Sequence, residues 1–140
     1  MNFIGDRSRI PLDIRTLMRK LEKGTSEKHN VTVNIAINYG GREEIVHSVR
    51  KIAEQVQKGK IAPENINEEM ISKHIYTAGQ PDPDLIIRPS GEHRLSNFML
   101  WQAAYAEFWS SNVLWPDFTK ENLNEALREF EKRNRRFGGV

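Results

Sequence analysis

The chain has 140 residues, a length typical of one domain, and we expect a single domain spanning residues 1–140. Apolar residues make up 38% and charged residues 29%, enough for a small core. A formal charge of +2 argues against binding to nucleic acid or an anionic membrane through overall charge. The absence of cysteine excludes disulfides and thiolate metal sites. No signal-peptide pattern and no apolar run of membrane-spanning length is present, so we expect a soluble, cytoplasmic protein.

The first half of the chain alternates between strand and helix patterns. Residues 2–4 predict a short strand, and residues 31–37 alternate between large apolar and small or polar side chains, which is typical of a second strand. Apolar residues at helical spacing predict helices over residues 11–24, 42–58 and 68–75.

The second half continues this order. Residues 84–88 place three consecutive apolar residues between charged ones, which is typical of a strand buried on both faces. Helices are predicted over residues 97–106 and 120–136, the second capped by Thr119. Strands alternating with helices predict an α/β fold with a parallel central sheet flanked by helices. Because three strands make a thin sheet, we expect part of the sheet to be missing.

Ligands of open parallel sheets bind where strands lead into helices, and two loops here meet that description. The first, residues 38–42, contains a glycine pair that fits either a tight turn or a close backbone approach to a phosphate. A glycine pair is a weak motif, so we favour the turn.

The second loop carries more chemistry. Arg88 and Arg94 flank a glycine-containing segment, and Ser96 stands where a helix is predicted to begin. Arginine forks and the N–H groups of a helix start both match a diphosphate group. Alternatively, Ser96 is an ordinary helix cap and the arginines pair with Glu92 and Asp84. The residue chemistry alone leaves both interpretations open.

Other charged residues give weaker signals. Glu107 follows apolar and aromatic residues, where a carboxylate is costly unless it is paired or bound to a metal. Alone it would be half of a magnesium site, and solvation at a helix end is the commoner outcome. The basic cluster of residues 132–136 favours a solvated cationic face over a nucleic-acid interface. The four histidines lack metal-ligand spacing: His29, His47, His74 and His93.

Longer motifs carry a family resemblance. Residues 82–92 (DPDLIIRPSGE) and 94–102 (RLSNFMLWQ) resemble the signature of cis-prenyltransferases of the undecaprenyl diphosphate synthase type. Further matches follow in the same order along the chain: 5–6 (GD), 36–42 (AINYGGR), 44–45 (EI), 105–107 (YAE), 115–118 (WPDF) and 135–139 (RRFGG). The resemblance therefore covers essentially the whole chain.

The resemblance implies an activity. The family condenses isopentenyl diphosphate with an allylic diphosphate such as farnesyl diphosphate in the cis configuration, with magnesium as cofactor. In bacteria the product is the lipid carrier of cell-wall sugars, so peripheral membrane contact through that product is also expected. The family usually forms homodimers, in which the stretch at residues 135–139 can lie near the partner's site.

The resemblance also implies roles for individual residues. Arg88, Arg94 and Ser96 would hold the diphosphate of isopentenyl diphosphate. Glu107 would help to coordinate magnesium. The supporting residues would be Asp84, Glu92 and His93.

Two departures from the family pattern matter. Pro89 stands where the family usually has threonine, which removes a backbone donor. The family's Asp-Gly-Asn-Gly-Arg-Trp-Ala segment, which carries the catalytic aspartate and the loop for the allylic diphosphate, has no counterpart in these 140 residues. No catalytic residue is therefore assigned. We expect the carboxy-terminal part of such a domain, as a fragment, a truncated gene product or one part of a split enzyme.

Two other functions remain as alternatives. The chain could be a non-catalytic accessory subunit or inactive fragment that acts through dimerisation, with a complementary amino-terminal fragment as a further partner. A nucleic-acid-binding module based on the last helix is not favoured, because the overall charge is close to neutral.

Overall fold

The structure, a computed structural model, describes residues 1–28 and 30–133. Contacts divide the chain into two units, Met1–Gln80 and Pro81–Val140. The expectation of a single domain stays a prediction.

The first unit is built on two parallel strands. Strand β1 (Asn2–Ile4) pairs with β2 (Asn34–Ala36) in the register Phe3 to Ile35. Helix α1 (Leu12–Thr25) connects them, and α2 (Gly41–Gln57) follows β2. The short helix α3 (Glu68–Ser72) begins at Asn67, whose side chain accepts the Met70 N–H at 2.9 Å and so caps the helix. These strands and helices confirm the predicted elements, although β2 and α3 are shorter than predicted.

The core of the first unit is small. Phe3, Ile10 and Met18 form its buried cluster. Met18 lies on the apolar stripe of α1, but Leu17 and Leu21 on the same helix are 52% and 41% exposed. Much of the apolar surface of α1 therefore stays in contact with solvent.

The second unit also contains two parallel strands. Strand β3 (Leu85–Arg88) pairs with β4 (Glu107–Ser110) in the register Arg88 to Ser110. Helix α4 (Lys120–Lys132) follows, and at its start the N–H of Thr119 donates to Asn122 Oδ1 at 2.9 Å. Trp109 of β4 is buried and packs edge-on against Phe118.

The predicted helix over residues 97–106 is wrong. Ser96, Asn97 and Met99 have φ values of 47°, 64° and 47°, and a left-handed backbone cannot continue a right-handed α-helix. The segment instead turns irregularly, forms one 3₁₀ turn at Gln102–Tyr105 and enters β4, a strand that the sequence analysis missed. The last helix ends at Lys132 and Arg133 is extended, so the predicted helix is too long by at least one residue. Residues 134–136 of that prediction and the 135–139 motif lie outside the described residues.

The predicted fold class is confirmed in its essentials, since parallel strands are flanked by helices. The four strands found in residues 1–28 and 30–133 form two sheets of two strands each, one in each unit. Within the same residues, every helix is too short or too polar to cross a membrane.

Candidate functional site

The loop after β3 is anchored to the segment that follows β4. The Ser90 N–H donates to the Val113 carbonyl at 2.9 Å, and the Gly91 N–H donates to the Ser111 carbonyl at 2.7 Å. Gly91 has a φ of 68°, and a Cβ there would lie 2.6 Å from Asn112 Oδ1. The positive φ favours glycine at this position, and a Cβ would have to displace the end of the exposed Asn112 side chain.

The two arginines of the predicted diphosphate site lie on this loop. Arg88, at the end of β3, donates from Nη1 to the carbonyl oxygen of Arg94, so its guanidinium closes the loop. Arg94 forms an ion pair with Glu92 at 2.7 Å, with 68% of the Arg94 side chain exposed. An exposed pair of this kind contributes little free energy, so Arg94 can exchange Glu92 for an anionic ligand at small cost.

His93 is held by a residue that the sequence analysis missed. Its Nδ1 lies 2.9 Å from Ser110 Oγ. Ser110 reaches the loop because the β3–β4 register places it beside Arg88. No local sequence signal marks Ser110, since its proximity depends on a strand pairing between distant segments.

Ser96 does not cap a helix. Its left-handed φ and that of Asn97 place both residues in an irregular turn, in which the Phe98 N–H donates to the Leu95 carbonyl at 3.0 Å. The expected row of helix-start N–H groups is therefore absent from this segment. Left-handed residues other than glycine cost about 1–2 kcal/mol each, and such strain often marks functional loops.

Glu107 occupies the first position of β4 instead of a helix end. Its Oε2 lies 2.9 Å from Arg133 Nη1, which also donates to the Phe108 carbonyl at 3.0 Å. Ser110 is three residues further along the strand, a rise of about 10 Å. Glu107 and the Arg88 loop therefore lie at opposite ends of β4.

In the part of the chain that the structure describes, Glu107, the predicted magnesium ligand, is not part of a complete metal site. Residues 1–28 and 30–133 contain no group of three His, Asp or Glu side chains arranged to hold a metal ion. Magnesium commonly takes one or two carboxylates together with substrate phosphate oxygens. Glu107 can act as one of these carboxylate ligands only if its ion pair with Arg133 breaks.

The loop after β2 makes a tight junction with β1. Gly5 has a φ of 117°, and a Cβ there would lie 2.3 Å from the Ile37 carbonyl oxygen. The Asp6 N–H donates to the Asn38 carbonyl at 3.1 Å, and Asn38 Nδ2 donates to the Asp6 carbonyl at 2.8 Å. The favoured interpretation of this loop as a structural turn fits these bonds.

This junction also borders a cavity. The cavity has a volume of about 340 Å³ and is lined by Asp6, Arg9, Asn38, Tyr39, Gly40 and Glu43. Hydrogen bonds from the backbone and side chain of Ser8 lower the pKa of Asp6 below its ordinary value.

Glu44 is the buried carboxylate of the first unit and is 0% exposed. Its Oε1 accepts the Tyr76 N–H at 2.8 Å, and its Oε2 accepts the Tyr39 hydroxyl. Burial and a hydrogen bond to Glu43 raise the pKa of Tyr76, so its hydroxyl stays protonated. These bonds brace the start of α2 and the loop that precedes it.

Comparison with known proteins identifies the family. The prenyltransferase family model, described as "Putative undecaprenyl diphosphate synthase", matches residues 1–138. The isoprenyl transferase of Clostridium tetani is 47% identical over 140 residues, covering 100% of this chain and 55% of that protein. The isoprenyl transferase of Clostridium perfringens is 50% identical over 137 residues, covering 98% and 54%. The chain thus spans about half the length of the curated relatives it matches.

Two solved structures agree with this match. Lavandulyl diphosphate synthase from Lavandula x intermedia, in complex with dimethylallyl diphosphate, superposes on this chain with a TM-score of 0.94 at 38% identity. The match covers 99% of this chain and 59% of the Lavandula chain. A "probable undecaprenyl diphosphate synthase" from Campylobacter jejuni gives a TM-score of 0.85 at 34% identity, covering 99% and 62%. The motifs, the parallel strands and these matches agree, and the chain belongs to the undecaprenyl diphosphate synthase family of prenyltransferases.

Proposed function

We propose that this chain carries the isopentenyl diphosphate half-site of an isoprenyl transferase, in the loop after β3. The observation that carries the proposal is the bond from the Arg88 guanidinium to the Arg94 carbonyl, which holds two arginines on one closed loop. Two guanidiniums on such a loop suit the several oxygens of a diphosphate.

Each residue of the loop has a distinct part in this proposal. Arg94 turns from Glu92 to the diphosphate, and Arg88 adds its remaining N–H groups while it keeps the loop closed. Ser96 offers a hydroxyl donor from the strained turn. The supporting residues are His93, Glu92 and Asp84. The Ser110 hydroxyl orients His93. The backbone carbonyl of Asp84 accepts the Glu107 N–H at 2.9 Å.

The reaction proposed for the assembled enzyme is cis-condensation of isopentenyl diphosphate with an allylic diphosphate such as farnesyl diphosphate. The names of the clostridial relatives support prenyl transfer, and the Lavandula structure contains an allylic diphosphate. Magnesium, held by Glu107 and phosphate oxygens, would neutralise the charge of the leaving diphosphate. Assembly as a cytoplasmic homodimer, with a product used in bacterial cell-wall synthesis, belongs to the same proposal.

A second candidate function is that of a non-catalytic accessory subunit. The two functions are compatible with the same family membership and differ in whether the chain takes part in turnover. Incubation with farnesyl diphosphate, labelled isopentenyl diphosphate and magnesium separates the two functions. The accessory function predicts no labelled product even when a complementary fragment of the Clostridium tetani enzyme is added.

The half-site is tested by calorimetric titration of isopentenyl diphosphate into the chain. Loss of a charge-assisted hydrogen bond costs about 1.5–3 kcal/mol, so Arg94→Ala should weaken binding about 10- to 100-fold. Arg128→Ala, which removes an exposed arginine from α4, is the matched control and should leave the affinity unchanged. Equal affinities for the wild type and Arg94→Ala would contradict the site.

A further inference from the structure

The imidazole of His93 is held by a hydrogen bond to a residue of a distant strand. His93 Nδ1 lies 2.9 Å from Ser110 Oγ, although 17 residues separate the two along the chain. Ser110 is the last residue of β4, and the strand register places it beside Arg88, where the loop begins. In residues 1–28 and 30–133 the His93 ring has no other hydrogen-bond partner. The Ser110 hydroxyl therefore determines how this exposed side chain is oriented.

The backbone of the same loop is fixed without help from the Ser110 hydroxyl. Two N–H groups of the loop donate to carbonyls in the segment that follows β4, and the Arg88 guanidinium closes the loop at its far end. These bonds do not use Ser110 Oγ. Loss of the hydroxyl should therefore free the ring of His93 and leave the path of the loop unchanged.

The direction of the bond between Ser110 and His93 decides what the ring can offer to a ligand. A neutral imidazole has one N–H donor and one accepting nitrogen, and a hydroxyl can bond to either. If Ser110 donates to Nδ1, the ring hydrogen stays on Nε2, which faces away from Ser110 as a donor. If Ser110 accepts from Nδ1, Nε2 presents a lone pair instead.

The charge of the proposed ligand selects between these two directions. The oxygens of a diphosphate accept hydrogen bonds, so they attract an N–H group and repel a lone pair. His93 directly precedes Arg94, whose exposed guanidinium is the group expected to exchange Glu92 for the diphosphate. A donor at Nε2 therefore matches the ligand of the neighbouring arginine, and an acceptor at Nε2 does not.

We propose that Ser110 is a positioning residue for diphosphate binding, whose hydroxyl donates to His93 Nδ1 and fixes the tautomer with hydrogen on Nε2. His93 then donates from Nε2 to an oxygen of the diphosphate that Arg88 and Arg94 hold. The identity of the ligand rests on the proposed function. The tautomer is a property of the chain alone and can be measured without any ligand.

Nitrogen NMR of the histidine rings tests the tautomer. Long-range ¹H–¹⁵N spectra are recorded on the chain labelled with ¹⁵N-histidine at about pH 8, where an ordinary histidine is neutral. The His93 signals are those that His93→Ala removes. They should show an N–H nitrogen at Nε2 and an accepting nitrogen at Nδ1. Hydrogen on Nδ1 in the wild type would overturn the inference.

Three variants test whether Ser110 sets this tautomer. Ser110→Ala should shift the His93 signals toward a mixture of both tautomers, whereas Ser110→Thr keeps the hydroxyl and should preserve the wild-type pattern. Ser26→Ala is the matched control, because it removes a serine hydroxyl that donates to the Lys23 carbonyl in the first unit. It should leave the His93 signals unchanged. Signals of His93 that are the same in Ser110→Ala and the wild type would overturn the inference.

Calorimetric titration of isopentenyl diphosphate measures the effect on binding. Ser110→Ala should weaken binding about 3- to 10-fold, and Ser110→Thr should bind within about twofold of the wild type. Because Ser110 acts through His93, Ser110→Ala should weaken binding by less than about twofold in a His93→Ala background. Effects of Ser110→Ala that are equal in the two backgrounds would overturn the positioning role.

Failure of this inference is distinguishable from failure of the proposed function. If the wild type did not bind isopentenyl diphosphate, the half-site would be refuted, and with it the role of His93 in that site. Binding that depends on Arg94 but not on Ser110 would support the half-site and refute the positioning role alone.

Discussion

Replacement of Gly5 by alanine tests how tightly β1 and the loop after β2 are joined. A Cβ at Gly5 would lie 2.3 Å from the Ile37 carbonyl oxygen and 3.0 Å from that of Asn38. Both contacts are with backbone, so the strand ends must move apart. The φ of 117° is a second source of strain, because residues with a Cβ rarely adopt it.

The magnitude follows from these two terms. A sparsely populated backbone conformation costs about 1–3 kcal/mol, and overpacking adds about 1–3 kcal/mol. Gly5→Ala should therefore lower the free energy of unfolding by about 2–6 kcal/mol, a large part of the stability of a domain of this size.

Urea denaturation followed by circular dichroism measures this change, with Gly24→Ala as the control. Gly24 lies in α1, and the position that a Cβ would take there has no heavy atom within 4 Å. Alanine at this position should therefore raise the free energy of unfolding by about 0.5–1 kcal/mol. If Gly5→Ala changed the unfolding midpoint no more than Gly24→Ala, the close approach at Ile37 would be refuted.

Three further predictions concern other contacts. Gly91→Ala should lower the free energy of unfolding by about 1–2 kcal/mol in urea denaturation, which is less than the loss for Gly5→Ala. The loss is smaller because the added Cβ meets the exposed Asn112 side chain and not backbone. A loss as large as that of Gly5→Ala would contradict this ranking. A hydrogen bond from Arg7 lowers the pKa of Glu22, so its stabilisation is present above the carboxyl's ordinary pKa and is lost as the pH falls through the lowered value. The urea midpoint should therefore fall more steeply from about pH 7 to pH 3 in the wild type than in Glu22→Gln, and parallel curves would count against the pair. Asn67→Ala should cost about 1 kcal/mol in thermal unfolding through loss of the α3 cap, and Asn65→Ala, its neighbour outside the cap, should have little effect; equal losses would contradict the cap.

The elements that the sequence predicted well are those with a complete local signal. The predicted strand at residues 2–4 matches β1, and the apolar stripe of α2 places its ends within one residue of the observed Gly41–Gln57. The apolar run of β3 between charged residues was equally clear. Periodicity and punctuation by glycine or proline determine these segments without help from distant residues.

Strand β4 shows where local signals fail. Phe98, Trp101 and Tyr105 recur at helical spacing, but the left-handed backbone at Ser96 and Met99 prevents a helix. The segment Glu107–Ser110 becomes a strand because it pairs with β3, about twenty residues earlier. A pairing between distant segments leaves no periodic trace in four residues.

In the candidate site too, the residues with a local sequence signal were recognised and those placed by distant segments were not. Arg88 and Arg94 were recognised from their chemistry and from the family motif, and the structure places both on one loop. Ser110 and Arg133 were not recognised, since they reach His93 and Glu107 only through the β3–β4 register and the packing of α4. The roles assigned to Arg88, Arg94, Ser96 and Glu107, and to the supporting residues, remain predictions.

One measurement tests the central claim most directly: isopentenyl diphosphate titrated into the ¹⁵N-labelled chain, with backbone amide shifts recorded by NMR. The half-site predicts saturable shifts at Ser90, Gly91 and Ser96, on the loop that Arg88 and Arg94 close. The amides of Tyr39 and Gly40 in the first unit should stay unchanged. Shifts confined to the Tyr39–Gly40 loop, or none at millimolar ligand, would contradict the account.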